Sequence, residues 1–237
     1  MTAASFPAVL VVSGTGTDVG KTVVTAAVAA LAASSGLRVA VVKPVQTGEP
    51  PGPSGDLATV RRLSGVTETY ELARFADPLS PEAAARAAGL PPLDLAGAAV
   101  FVKQLDADLI LIEGAGGLLV RYDAAGATIA DLAAMLSAPV LVVTTSGLGT
   151  LNHTALTLEA LDRRRLRSAG VVIGSWPADP GLADRANRID LPVIAGGPLA
   201  GAIRSGAGLL GQADFLVTAR AGLSAAFGGS FSAEINH

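Results

Sequence analysis

The chain has 237 residues, half of them hydrophobic and 16% charged, with a formal net charge of -3. That length can bury a large core within one domain, and so weak a charge excludes a partner chosen by bulk electrostatics, whether nucleic acid or an anionic membrane. The absence of cysteine excludes disulfides, thiolate metal sites and a cysteine nucleophile, including a glutaminase of the cysteine type.

The first apolar run, residues 9–13, is not preceded by a basic segment and stops at a glycine-rich stretch, so it reads as a buried strand rather than a signal peptide or a membrane span. A cytoplasmic protein is expected. Gly14-Thr15-Gly16-Thr17-Asp18-Val19-Gly20-Lys21-Thr22 follows, and an Ala/Val-rich helix is expected over 21–34. The usual phosphate loop is Gly, four residues, then Gly-Lys-Ser/Thr. Here the fitting glycine is Gly14, one residue further back, so the loop is a lengthened variant. Its glycines let backbone N–H groups close around a phosphate at a helix N-terminus, Lys21 reaches the β and γ phosphates, and Thr22 ligates Mg2+. A nucleoside triphosphate is the expected ligand.

Of the 17 basic residues only three are lysines, Lys21, Lys43 and Lys103. Lysine persists where a compact ammonium on a flexible stem is wanted and a planar fork would not serve. Lys21 is one such place. The second strand, 39–43, ends in Lys43-Pro44-Val45-Gln46-Thr47-Gly48, which brings a second ammonium to the carboxyl edge of the sheet. Residues 49–55 are too rich in proline and glycine for helix or strand and form a loop. Asp56 just after it can supply a magnesium oxygen or cap a helix.

Helices are expected over 81–88 and 95–105, the latter carrying Lys103 on its surface, before the strand 109–113 ends in Glu113-Gly114-Ala115-Gly116-Gly117. A carboxylate at the end of a hydrophobic strand beside a phosphate loop is a Walker-B-like magnesium ligand, and the glycines allow close approach to phosphate or substrate. Thr128 and Asp131 read as a capping pair for a helix over 129–136. The strand 140–144 leads into Ser146-Gly147-Leu148-Gly149-Thr150-Leu151-Asn152-His153, a glycine-rich turn whose free N–H groups suit an anion such as a substrate carboxylate. The helix over 151–165 ends in an arginine cluster that complements its dipole. A strand over 171–174 and a helix over 181–189 follow, and residues 228–237 read as a frayed tail after a single domain spanning 1–227.

Continuous apolar strands alternating with helices define a doubly wound α/β fold, a mostly parallel sheet with helices on both faces. Ligands of such a sheet bind at the carboxyl ends of its strands.

Taken together the lengthened loop, Lys43 to Gly48, Asp56, Glu113 to Gly117, Gly147 to His153 and the strand Gly170 to Gly174 resemble the dethiobiotin synthetase family over most of the chain. The resemblance implies a P-loop fold and a homodimer. The activity implied is carboxylation of 7,8-diaminopelargonate with CO2 and ATP, followed by closure to a cyclic urea. It implies Thr22, Asp56 and Glu113 as magnesium ligands and Lys21 and Lys43 as catalytic cations. Gly16, Thr17, Asp18, Val19, Gly20, Val23, Gly114, Ala115 and Gly116 complete the nucleotide contacts. Thr17, Lys43 and Thr47 face the diamine or its carbamate, and Gly147, Leu148, Gly149, Thr150, Leu151 and Asn152 hold its carboxylate, in part from the other subunit.

The chain departs from the family at the end of the strand near 173. There the family commonly places an asparagine that reads the adenine edge, whereas this chain has Gly174-Ser175. Without that amide the penalty against other bases is lost, so CTP or another triphosphate is expected to serve as well as ATP. Pro198-Leu199-Ala200 is expected as the remaining wall of the base pocket.

Two alternatives carry the same loop. Partition or septum-positioning ATPases have a further lysine early in the loop, in a Lys-Gly-Gly context, where this chain has Thr15-Gly16. A synthetase of the amidotransferase type would bring a glutaminase domain, for which this chain has neither the length nor the cysteine.

Overall fold

The computed structural model describes residues 6–232. Its strands are β1 (Val9–Gly14), β2 (Val39–Thr47), β3 (Thr69–Phe75), β4 (Leu109–Gly117), β5 (Val140–Thr144), β6 (Ser168–Trp176) and β7 (Gly201–Arg204). They form one sheet in the order β3-β2-β4-β1-β5-β6-β7, with every neighbouring pair parallel. The helices between them are α1 (Lys21–Ser34), α2 (Asp56–Ser64), α3 (Pro81–Ala87), α4 (Leu95–Gln104), α5 (Ile129–Met135), α6 (Thr150–Arg163), α7 (Leu182–Ala195) and α8 (Gln212–Gly222).

Continuous apolar strands arise because successive side chains enter opposite cores. Leu10 and Val12 pack with α1, α2 and α8, whereas Val11 packs with the helices α3 to α7 on the other face. In β4, Leu111 joins the first core and Ile110 and Ile112 the second. Small side chains let α1 lie close to the sheet, and from Val24 to Ala32 it is buried on all sides. Among the described residues no helix is long and apolar enough to cross a membrane.

The sequence places five strands and six helices correctly in order and omits β3, β7, α2 and α8. Edge strand β3 is half-buried and mixes Glu71 and Arg74, an ion pair, with apolar residues, so it lacks the continuous run of the inner strands. Strand β7 has only four residues. Helix α7 runs through Pro192 to Ala195, past the expected end at 189; the missing proline N–H removes one helical bond there.

Strand β2 also continues beyond its expected end at Lys43, through Pro44 to Thr47. Pro44 is skipped in the β2–β3 register and lies past the last β2–β4 pair, so no ladder depends on its N–H. Of the expected tail, 233–237 lie outside the described residues. Gly229, Ser230 and Phe231 donate backbone hydrogen bonds to the carbonyls of Ser224, Arg220 and Leu223.

Candidate active site

Strands β2 and β4 pair only as far as Val42 and Ile112. Beyond that point β2 continues beside β3 and β4 continues beside β1, so the sheet splits at its carboxyl edge. Lys43 and Glu113 are the first residues past the split. The phosphate loop, between β1 and α1, closes over them.

Lys43 is 3% exposed and Glu113 fully buried, and Lys43 Nζ donates to Glu113 Oε1 at 2.9 Å and to the Gly114 carbonyl at 3.2 Å. Asp56, the first residue of α2, brings Oδ2 to 2.5 Å from the same ammonium. It is the first helical residue rather than the cap, a position held by Gly55. Gln46 positions it, accepting from the Asp56 N–H at 2.9 Å while its amide donates to the Thr47 carbonyl. Thr22 donates to Glu113 Oε1 at 2.8 Å, and Lys21 folds back to donate to the Gly16 carbonyl at 2.8 Å.

Burial disfavours the Lys43 ammonium, but Glu113 and Asp56 outweigh it and hold the group above the ordinary lysine range. Burial, and next the positive charge of Lys43, push Lys21 below that range. Burial raises Glu113 against the pull of Lys43, with Asp56 adding to the rise. Burial acts the same way on Asp56, yet contact with Lys43 keeps it below the usual carboxylate range. One buried ammonium thus bridges two carboxylates and offsets one of their two negative charges, in a place where an unpaired charge would be costly.

These groups line a crevice of about 440 Å³ together with Thr17, Asp18, Val23, Thr47, Glu49 and Gly116. Glu113 Oε2 is buried with no hydrogen-bond partner among the described residues, a free oxygen that suits a cation. No three His, Cys, Asp or Glu side chains gather for a metal among those residues. The donor set for a divalent ion is therefore two carboxylates, the Thr22 hydroxyl, and oxygens from phosphate and water, which fits Mg2+.

The remaining candidates lie apart. Gly20, at φ +96°, packs against Gly174, and a Cβ on Gly174 would stand 2.0 Å from the Val19 carbonyl oxygen. Gly174 is thus the seat of the phosphate loop, while Ser175 next to it is exposed. Pro198, Leu199 and Ala200 are not brought to the carboxyl edge. Ala200 bonds to Val171, well before the end of β6, and Leu199 and Ala200 are buried in the two cores. The β7 register instead sets Arg204 beside Trp176 at that edge, with Ser205 bonded to the Trp176 carbonyl. The place at the carboxyl edge expected for Pro198–Ala200 is held by Arg204 and Ser205.

Gly147, Leu148, Gly149, Thr150, Leu151 and Asn152 do not line the crevice. They form the N-terminus of α6 and the turn before it, with Leu148 95% exposed and Thr150 buried. Helix α7 holds this turn: the Asn187 amide donates to the Ser146 and Gly147 carbonyls at 2.7 and 2.8 Å, and Ser146 donates to Asp184 at 2.5 Å. Sequence reading missed these supports, as it missed Tyr122, whose buried hydroxyl accepts from the Ala115 N–H at 2.9 Å. An isolated amide, carboxylate or tyrosine on a helix or loop carries no spacing signal.

Thr128 and Asp131 form the expected capping box, and Lys103 is exposed. Both buried lysines are therefore in the crevice.

A family model described as an AAA domain matches residues 8–206. The chain is 62% identical over 227 residues, 95% of each chain, to the ATP-dependent dethiobiotin synthetase BioD of Parafrankia sp. (strain EAN1pec). It is 60% identical, again over 95% of each chain, to the protein of that name from Frankia casuarinae. Among solved structures it resembles the septum site-determining protein MinD of Pyrococcus horikoshii complexed with Mg-ADP, with TM-score 0.54 and 19% identity over 83% of this chain and 80% of that one. The MinD cell division protein of Aquifex aeolicus gives TM-score 0.55 and 15% identity over 90% and 87%. Identities this low establish a shared fold, whereas the full-length matches at 60% and above establish kinship: the chain belongs to the dethiobiotin synthetase family.

Proposed function

We propose that the protein carboxylates 7,8-diaminopelargonate with CO2 at the expense of a nucleoside triphosphate and closes the product to dethiobiotin. The observation that carries this reading is the crevice where Lys21, Lys43, Thr22, Asp56 and Glu113 converge on one phosphate loop. Family membership supplies the substrate class.

The substrate amine must be neutral to attack CO2. With a lysine-like pKa, only on the order of 0.1% is neutral at pH 7. Lys43, held as a cation by its carboxylates, disfavours a second positive charge beside it and favours the carbamate anion that forms. A carbamate oxygen then attacks the γ-phosphorus and the nucleoside diphosphate leaves. The other amine attacks the carbonyl carbon of the resulting anhydride, closes the five-membered urea and expels phosphate.

This transfer needs positioning and charge neutralisation more than a base, and no triad is called for. Thr22, Asp56 and Glu113 would hold Mg2+, which would supply charge neutralisation to the triphosphate. Lys21 is tethered to Gly16 within reach of the same phosphates, and Thr47 faces the reacting end of the diamine.

Gly147 to Asn152 hold the substrate carboxylate. Because they do not line the crevice, the tail is held by a second copy of the chain, in a homodimer with the substrate at the interface. The protein works in the cytoplasm.

Nucleotide selection is relaxed, because neither Gly174 nor Ser175 supplies an amide to read the base. A panel of triphosphates assayed with the diamine and bicarbonate should give kcat/KM values for ATP and CTP within about tenfold, since no buried base-reading group is left unpaired. ATP preferred by about a hundredfold or more would overturn the relaxed selection, since a buried base-reading group discriminates by about 10⁴-fold or more when left unpaired.

A further inference from the structure

Four threonine hydroxyls join the phosphate loop to the first two turns of α6. Thr144, the last residue of β5, is fully buried, as is Thr154, and Thr150 nearly so. The Thr144 hydroxyl lies 3.2 Å from that of Thr15 in the loop, 2.7 Å from that of Thr150 and 2.9 Å from that of Thr154.

Proton accounting gives these contacts a direction. Thr150 has one hydroxyl proton, and it goes to the Thr145 carbonyl at 2.7 Å. At the Thr144–Thr150 contact the donor is therefore Thr144. With its single proton used, Thr144 accepts from Thr15 and from Thr154. One donor and two acceptor sites are the full capacity of a hydroxyl, so the hub is saturated.

The loop is tied to the same strand a second time, through the Thr15 N–H and the Val143 carbonyl at 2.9 Å. On its far side the turn before α6 is fixed by Asn187. Thr144 is thus the one side chain that bonds both the loop residue Thr15 and the first two turns of α6 among the contacts described, while Asn187 holds the turn from its other side.

We infer that Thr144 is a positioning residue that couples occupancy of the phosphate loop to the order of the α6 N-terminus, the segment assigned above to the substrate carboxylate. The inference rests on that assignment for its meaning, and the coupling itself is measurable without substrate. Its signature is reciprocal: nucleotide tightens the hold on the tail, and the tail tightens the hold on nucleotide by the same factor.

Thr144→Val keeps the shape and removes the hydroxyl, whereas Thr144→Ser keeps the hydroxyl. Hydrogen exchange of the peptide covering 147–152 should slow on saturation with Mg-ADP in the native protein and in Thr144→Ser. In Thr144→Val the nucleotide-induced slowing should be lost. A merely structural role would speed exchange equally with and without nucleotide, leaving the difference intact.

Should Thr144→Val not fold, Thr15→Val cuts the chain at the part-exposed loop end and carries the same expectation. With the diamine present, Thr144→Val should raise its KM about 5- to 150-fold, the usual range of coupling between sites, with a smaller change in kcat. Equal slowing in Thr144→Val, or none in the native protein, would overturn the coupling. Phosphate release indifferent to the diamine would overturn the substrate assignment alone, since the exchange result does not depend on it.

Discussion

Lys43 places a compact charge where three oxygens converge, those of Asp56, Glu113 and Gly114, in a pocket that leaves it 3% exposed. A guanidinium keeps the charge but not the geometry, because its donors are spread over a rigid plane. Lys43→Arg should therefore lower kcat at least about a hundredfold, the usual penalty for a misplacement of about 1 Å. Steady-state kinetics check this, and near-normal turnover would reduce Lys43 to a structural ion pair. The sequence revealed this lysine through its rarity and its place at a strand end. The same reasoning could not tell that Gly174 seats the phosphate loop, since the 2.0 Å clearance between a Cβ and Val19 depends on two segments far apart in the chain.

The elements legible in the sequence are those whose two faces are both covered. Strands β1, β2, β4, β5 and β6 read as apolar runs because each feeds two cores, although β2, β4 and β6 run on past the ends of those runs, to Thr47, Gly117 and Trp176. Edge strand β3 and helices α2 and α8 carry polar faces and weaker patterns. Without α2 the position of Asp56 was a choice between cap and ligand.

Helix α7 was foreseen, but not its grip on the turn before α6, which Asp184 makes testable. The Ser146 hydroxyl, and next the Gly181 N–H, hold the Asp184 carboxyl below the usual carboxylate range. Because the folded value lies below the unfolded one, the bonds stabilise the protein above about pH 4 and are lost as pH falls through the folded value. Asp184→Asn should therefore melt below the native protein at neutral pH, and the gap should close in acid. Thermal melts across pH check this, and a gap that widens in acid would contradict it.

At the scale of the whole molecule, two cores on one parallel sheet leave its carboxyl edge as the place where loops from β1, β2, β4, β5 and β6 meet. The crevice between β2 and β4 gathers Lys21, Thr22, Lys43, Asp56 and Glu113, and the α6 N-terminus stands apart from it. In the proposed function a substrate shared between two copies of the chain spans this separation, with the buried ammonium at its carbamate end. The fold could be derived from patterning, whereas the substrate came from kinship. No residue pattern in the crevice distinguishes a diamine from another nucleophile.

The most direct test supplies the pure protein with Mg2+, a triphosphate, 13C-labelled bicarbonate and 7,8-diaminopelargonate, and follows phosphate and product mass together. The account predicts phosphate release that requires the diamine, with one labelled carbon in each dethiobiotin formed and one phosphate released per product. Slow release that ignores the diamine, or product without the label, would contradict it.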